Sequence, residues 1–112
     1  MATQNISLMS LTVAASATIE AHRFVTAAGV QAAAGGNALG VSRTEANVGE
    51  GVAADVIGTA IVEAEAAVAV DDPIEVGADG KAKVQSGGVT VARALQAAAN
   101  AGDLIEVLLI QQ

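Results

Sequence analysis

The chain has 112 residues, a formal net charge of −7 and no cysteine, and its 53% hydrophobic content is mostly alanine and valine, with Phe24 standing as the single Phe, Trp or Tyr. That length suits one domain, the missing thiols exclude disulfides and thiolate metal sites, and the scattered basic residues Arg23, Arg43, Lys81, Lys83 and Arg93, with no aromatics between them, exclude a nucleic-acid surface. Burying apolar area stabilises by about 25 cal/mol per Å², and alanine offers little of it, so a lone protomer has a thin core that neighbouring molecules are expected to supplement.

Residues Thr3–Thr12 alternate loosely, which predicts an extended arm or edge strand within an N-terminal segment of residues 1–20. The charge-free run Met1–Ile19 is broken by Thr3, Gln4, Asn5, Ser7, Ser10 and Thr12, and Phe24–Ser42 by Gly35-Gly36-Asn37, so neither is read as a membrane span. The first five residues carry no Lys or Arg, which argues against a secretory leader.

A single β domain is expected over residues 21–112. Ala21–Val30 holds the second strand candidate, with Phe24 anchoring the core, and Gln31–Gly36 reads as a loop. Ala38–Val41 is a short strand, Glu45–Gly51 a turn, and Val52–Val62 a strand with Gly58 as a candidate bulge. Glu63–Val70 is expected to continue the sheet up to a turn at Asp71-Asp72-Pro73, where proline forces an extended predecessor. Ile74–Val76 and Lys81–Val84 pair around Gly77-Ala78-Asp79-Gly80; Ser86-Gly87-Gly88 turns again; Val89–Ala94 and Asp103–Ile110 close the domain. Alanine favours helix, and Gln96–Ala101 could form one turn, but no longer window holds a 3.6-residue stripe. Short strands with regular turn signals predict an all-β fold, a small β-barrel or β-tulip-like sandwich with an extended N-terminal arm.

No catalytic set emerges. Gly35-Gly36-Asn37-Ala38-Leu39-Gly40-Val41-Ser42 has the glycine spacing of a phosphate loop, yet Val41 stands where the lysine belongs. Gly49-Glu50-Gly51 lacks a third glycine and carries an acid where pyrophosphate would sit. Glu63 with Glu65 and Asp71 with Asp72 lack a ligand-rich loop for a divalent ion; they read as a solvated face and turn chemistry. His22 stands alone and reads as an ordinary surface or interface residue. Lys81 on a hairpin tip raises the alternative of a carrier or interaction module of lipoyl or biotinyl type, although Asp79-Gly80-Lys81-Ala82-Lys83 matches such a motif poorly. The expectation is a non-enzymatic chain with no catalytic or metal residues, no cofactor and no small-molecule substrate.

Gly36–Val41, Glu63–Asp72, Gly77–Lys81 and Arg93–Leu109, the last with Arg93-Ala94-Leu95 and Ala101-Gly102-Asp103-Leu104-Ile105-Glu106-Val107-Leu108-Leu109, together resemble the tailed-phage capsid cement, or head decoration, proteins. Ala92 replaces the glycine usual before that arginine. The resemblance implies a homotrimer that binds the major capsid protein on the outer surface of a phage head and bridges neighbouring subunits, so that the protein belongs to the virion after assembly in the host cytoplasm. An uncharged arm of Ala2, Thr3, Gln4, Asn5, Ile6, Ser7, Leu8, Met9 and Ser10 is the candidate capsid contact, ordering there by strand addition.

Overall fold

Strand β4, Gly51–Glu63, is the longest element and organises the rest. Its positions Val52, Ala54, Val56, Ala60 and Val62 alternate in sequence and all are buried, as a strand with one face on the core requires. The structure, a computed structural model, describes residues 5–111. Around β4 lie β1 (Ser7–Ala14), β2 (Phe24–Val25), β3 (Gly40–Ser42), β5 (Pro73–Val76), β6 (Ala82–Val84), β7 (Ala92–Ala94) and β8 (Leu104–Leu109), with a 3-10 turn at Ala78–Gly80. Strand pairing is antiparallel throughout, in the order β2-β3-β4-β8-β7-β5-β6, and β1 pairs separately with β4. A parallel bridge from Ala64 to Ala82, with the Glu65 N–H donating to the Ala82 carbonyl at 2.7 Å, brings the end of β4 back to β6 and nearly closes a barrel. The expected all-β barrel is therefore the fold.

Two apolar clusters share β4. Its C-terminal half packs with Phe24, Val41, Ile74, Val76, Ile105 and Val107. Its N-terminal half packs with Val13, Ile19, Val25 and Ala46. Phe24 is fully buried and is the largest of the fully buried side chains.

Several elements differ from their sequence expectation. The Ala21–Val30 strand shrinks to Phe24–Val25 because the chain turns back at once: the Thr26 N–H donates to the Val30 carbonyl, and Val25 bridges Gln31. Gly29 permits that turn at φ 87°, where an added Cβ would sit 2.0 Å from the Ala14 carbonyl oxygen. Glu63–Val70 does not continue the sheet; beyond β4 only Ala64 and Val68 make isolated bridges. Pro73 ends the Asp71-Asp72 turn but also opens β5, the strand-start position that a residue without an N–H tolerates. Gln96–Ala101 forms no helix, since Asp103 Oδ2 accepts from the Ala99 and Asn100 N–H groups and draws the segment into a turn.

Candidate contact surfaces

β1 lies along β4 from Ser7 opposite Gly58 to Ala14 opposite Gly51, and among the described residues it pairs with no other strand. Its second backbone edge is therefore open to strand addition. Leu11 and Val13, opposite the buried Ala54 and Val52, share a face, but only Val13 reaches the core. Leu8 is 73% exposed, Ile6 49%, Met9 44% and Leu11 38%, and Ile57, directly opposite Met9, is 44% exposed. Single exposed apolar residues are ordinary, whereas contiguous ones rimmed by polar groups mark contact sites. Here Ser7, Ser10 and Thr12 supply the polar rim.

A buried acid holds this strand down. Asp55, on β4 with its side chain only 3% exposed, accepts from Arg43 Nε at 2.7 Å and Ser10 Oγ at 2.9 Å through Oδ1, and from Asn5 Nδ2 at 3.2 Å through Oδ2. A buried carboxylate is tolerable only when paired and hydrogen-bonded, and two of its three donors come from the N-terminal segment. One residue further, the Ile6 N–H donates to Thr59 Oγ1 at 2.7 Å and the Thr59 N–H donates to the Ile6 carbonyl at 2.8 Å. Gly58, between these anchors at φ 105°, lets the two backbones meet: a Cβ there would lie 2.3 Å from the Ile6 carbonyl oxygen. The pairing register shifts at this point, so Gly58 sits in the irregularity expected of a bulge.

Of the nine candidate contact residues, Asn5, Ile6, Ser7, Leu8, Met9 and Ser10 are thus placed together on and beside β1, while Ala2, Thr3 and Gln4 lie outside the described residues. Asn5 and Ser10 are turned to Asp55, so part of the segment serves anchoring and the apolar members are left facing solvent.

The residues weighed as chemical candidates have local tasks. Glu63 does not form a solvated pair with Glu65: it meets Arg23 Nη2 at 3.1 Å and Lys81 Nζ at 3.6 Å, while Glu65 accepts from the Ala78 N–H and caps the 3-10 turn. Arg23, buried, also reaches Glu20 Oε2 at 2.6 Å and the Asp79 carbonyl at 3.2 Å, tying the β2 entry to the β5–β6 turn. Lys81 is held against that network rather than projecting from a free tip. Asp72 Oδ2 accepts from the Ala69 N–H at 2.9 Å, which is turn chemistry. His22 sits at φ 63° with Nδ1 3.2 Å from the Ile61 carbonyl, lining a cleft of about 300 Å³ with Asn5, Ser42, Arg43 and Asp55. In the false phosphate loop, Gly40 belongs to β3 and is glycine because a Cβ would lie 2.2 Å from the Asp55 carbonyl oxygen. Among the described residues no group of three or more His, Asp or Glu could hold a metal ion.

Sequence reasoning missed Asp55, Arg23 and Glu75. Each is a charge placed inside or beside an apolar strand, and that incongruity was the available signal. Glu75 accepts from the Ser86 and Gly88 N–H groups and faces Lys83 across β5–β6. The Ser86 backbone hydrogen bond is the main cause holding its carboxyl below the ordinary value, against the opposing effect of burial.

Comparison with known proteins gives a family and a fold. A family model described as phage cement protein matches residues 3–109. A solved structure, the N base of the head fiber of bacteriophage phi29, superposes with a TM-score of 0.75 at 20% sequence identity, covering 91% of this chain and 93% of that one. No curated protein sequence matches the chain.

Proposed function

The chain belongs to the phage cement protein family, and from that membership we propose that it binds the outer face of a phage head, bridges neighbouring major capsid subunits there, and works as a homotrimer with no enzymatic step. The observation that carries the reading is β1: a strand fixed from beneath by Asp55 and Thr59, yet presenting Ile6, Leu8, Met9 and Leu11 to solvent along an unpaired edge. Such a strand is preorganised, so a partner gains apolar burial and backbone hydrogen bonds without ordering it first.

A head filled with DNA pushes outward, and its seams between subunits yield first. One small contact repeated over many seams adds up, because a trimer bound at one subunit meets the next at high effective concentration. The net charge of −7 is tolerable on the outer surface, away from the packaged nucleic acid. In this reading the barrel is a rigid holder for β1.

Cosedimentation with heads lacking any decoration protein tests the proposal. The wild-type chain is expected to pellet with heads, and the Leu8→Glu, Met9→Glu double variant to lose at least about tenfold in affinity while keeping its far-UV spectrum, since each buried large apolar side chain is worth about 1.5–3 kcal/mol. Deleting residues 2–10 is a poorer probe, because it also strips Asn5 and Ser10 from Asp55. Undiminished binding by the folded double variant would refute the role given to β1.

A further inference from the structure

The pairing of β1 with β4 fixes which of its backbone groups are free. Asp55 of β4 is flanked by Val41 of β3 on one side and by Ser10 of β1 on the other, so β1 and β3 lie on opposite sides of β4. The neighbouring Ala53 carbonyl accepts from the Arg43 N–H at 3.0 Å, on the β3 side. Along a strand, successive residues turn their N–H and C=O groups to opposite sides. Val52 and Ala54 therefore turn theirs to β1, where they meet Val13 and Leu11. Thr12 and Ser10 stand opposite Ala53 and Asp55, so their backbone groups point the other way, off the sheet.

The open stretch is short. At its far end Gly29 lies against the Ala14 carbonyl, which a side chain on that glycine would strike, and the Ser16 N–H donates to the Gly29 carbonyl. At its near end the register shifts between Met9 and Ser10, and Ile6 is turned to Thr59. What remains is the run from Ser10 to Thr12, exposed throughout. Among the described residues no turn or loop donates to, or accepts from, the main chain of Ser10 or Thr12. Leu11 between them keeps its side chain on the face it shares with Val13, yet is 38% exposed.

From this register we propose that the capsid subunit is recognised through a short extended segment that adds to β1 at Ser10 and Thr12, with its side chains in the order polar, apolar, polar. The inference rests on the head-binding reading above and names what the partner must present. The open edge carries no charge, so its recognition runs through the main chain, and an extended segment is the partner that satisfies a row of free N–H and C=O groups. A residue laid beside Leu11 falls on the Leu11 face, where an aliphatic side chain covers it. Its two neighbours fall on the face of the Ser10 and Thr12 side chains, close to the Asp55 carboxylate, which Ser10, Arg43 and Asn5 already fill. An acidic residue is unfavourable there, and a hydroxyl or amide suits it. Neither neighbour can be proline, because each must donate its N–H to β1.

Amide hydrogen exchange of the wild-type chain, read residue by residue by mass spectrometry, tests the proposal without any substitution. In the free chain the Leu11 and Val13 amides should exchange slowly and the Ser10 and Thr12 amides fast. On heads lacking any decoration protein, Ser10 and Thr12 should slow at least about tenfold. Thr12→Pro removes an N–H that β4 does not use; with folding checked by circular dichroism, it should lose at least about tenfold in head affinity, while Thr12→Val, which keeps the N–H, binds as wild type does. A wild-type chain that fails to pellet with heads would overturn the head-binding reading itself. A chain that pellets while its Ser10 and Thr12 amides exchange as fast as in the free state would overturn only strand addition, leaving a contact made by side chains alone. Undiminished binding by folded Thr12→Pro would overturn it in the same way.

Discussion

At the residue scale, the stability of this small barrel depends on a few charges that its strands keep out of water. Asp55 is the clearest: three donors converge on a carboxylate that is 3% exposed. Asp55→Ala is expected to cost about 2–4 kcal/mol in urea unfolding, since hydrogen bonds to a charged group contribute about 1.5–3 kcal/mol each and are not additive; Asp55→Asn, keeping an acceptor, should cost less. An alanine variant as stable as wild type would show that β1 is held by its backbone ladder alone. Glu75 makes a different, pH-dependent contribution. Its folded carboxyl titrates below the ordinary value, chiefly through the Ser86 N–H, so folding favours the ionised form. The sign follows: this stabilisation is complete above the ordinary carboxylate range and is lost as pH falls through the lowered folded value. Glu75→Gln should therefore lower the melting temperature at pH 7 and differ much less from wild type near pH 3. A difference that stays constant with pH would show that the ionised form has no special worth.

At the element scale, the turn chemistry was legible and the strand lengths were not. The β5–β6 hairpin follows its sequence, with Ile74, Glu75 and Val76 opposite Val84, Lys83 and Ala82, because Gly77 to Gly80 leaves the chain little else to do. Val52–Val62 was legible for a similar reason: its alternation is long, and Gly58 marks the irregularity where β1 comes close. Ala21–Val30 misled because apolar content says nothing about a turn at Gly29 that a neighbouring backbone demands. Glu63–Val70 misled because small residues suit an isolated bridge as well as a ladder. The proposed contact surface was legible only by halves. That the N-terminal segment lacks charge could be read directly, but that Asn5 and Ser10 face inward depends on Asp55, some 45 and more positions away, which no local pattern reveals.

At the scale of the whole molecule, a core of valine and alanine with three isoleucines and a single Phe must be weighed against the conformational entropy of 112 residues. Small domains bury a smaller fraction of their surface than large ones, and here the side chains that are buried are themselves small. The exposed leucines on the β4–β8–β7 face are the apolar area the lone barrel leaves unused. If copies of the chain cover it, unfolding includes dissociation and becomes dependent on concentration. For a trimer, a roughly hundredfold rise in protein concentration adds about 1.8 kcal/mol per chain at room temperature, as two-thirds of RT ln 100. With an unfolding entropy scaled to this length, that becomes roughly 8 °C in melting temperature. Calorimetry across that range should show the shift for wild type. A wild-type melting point independent of concentration would mean that the thin core suffices alone, and that the outer face waits for a partner other than its own copy.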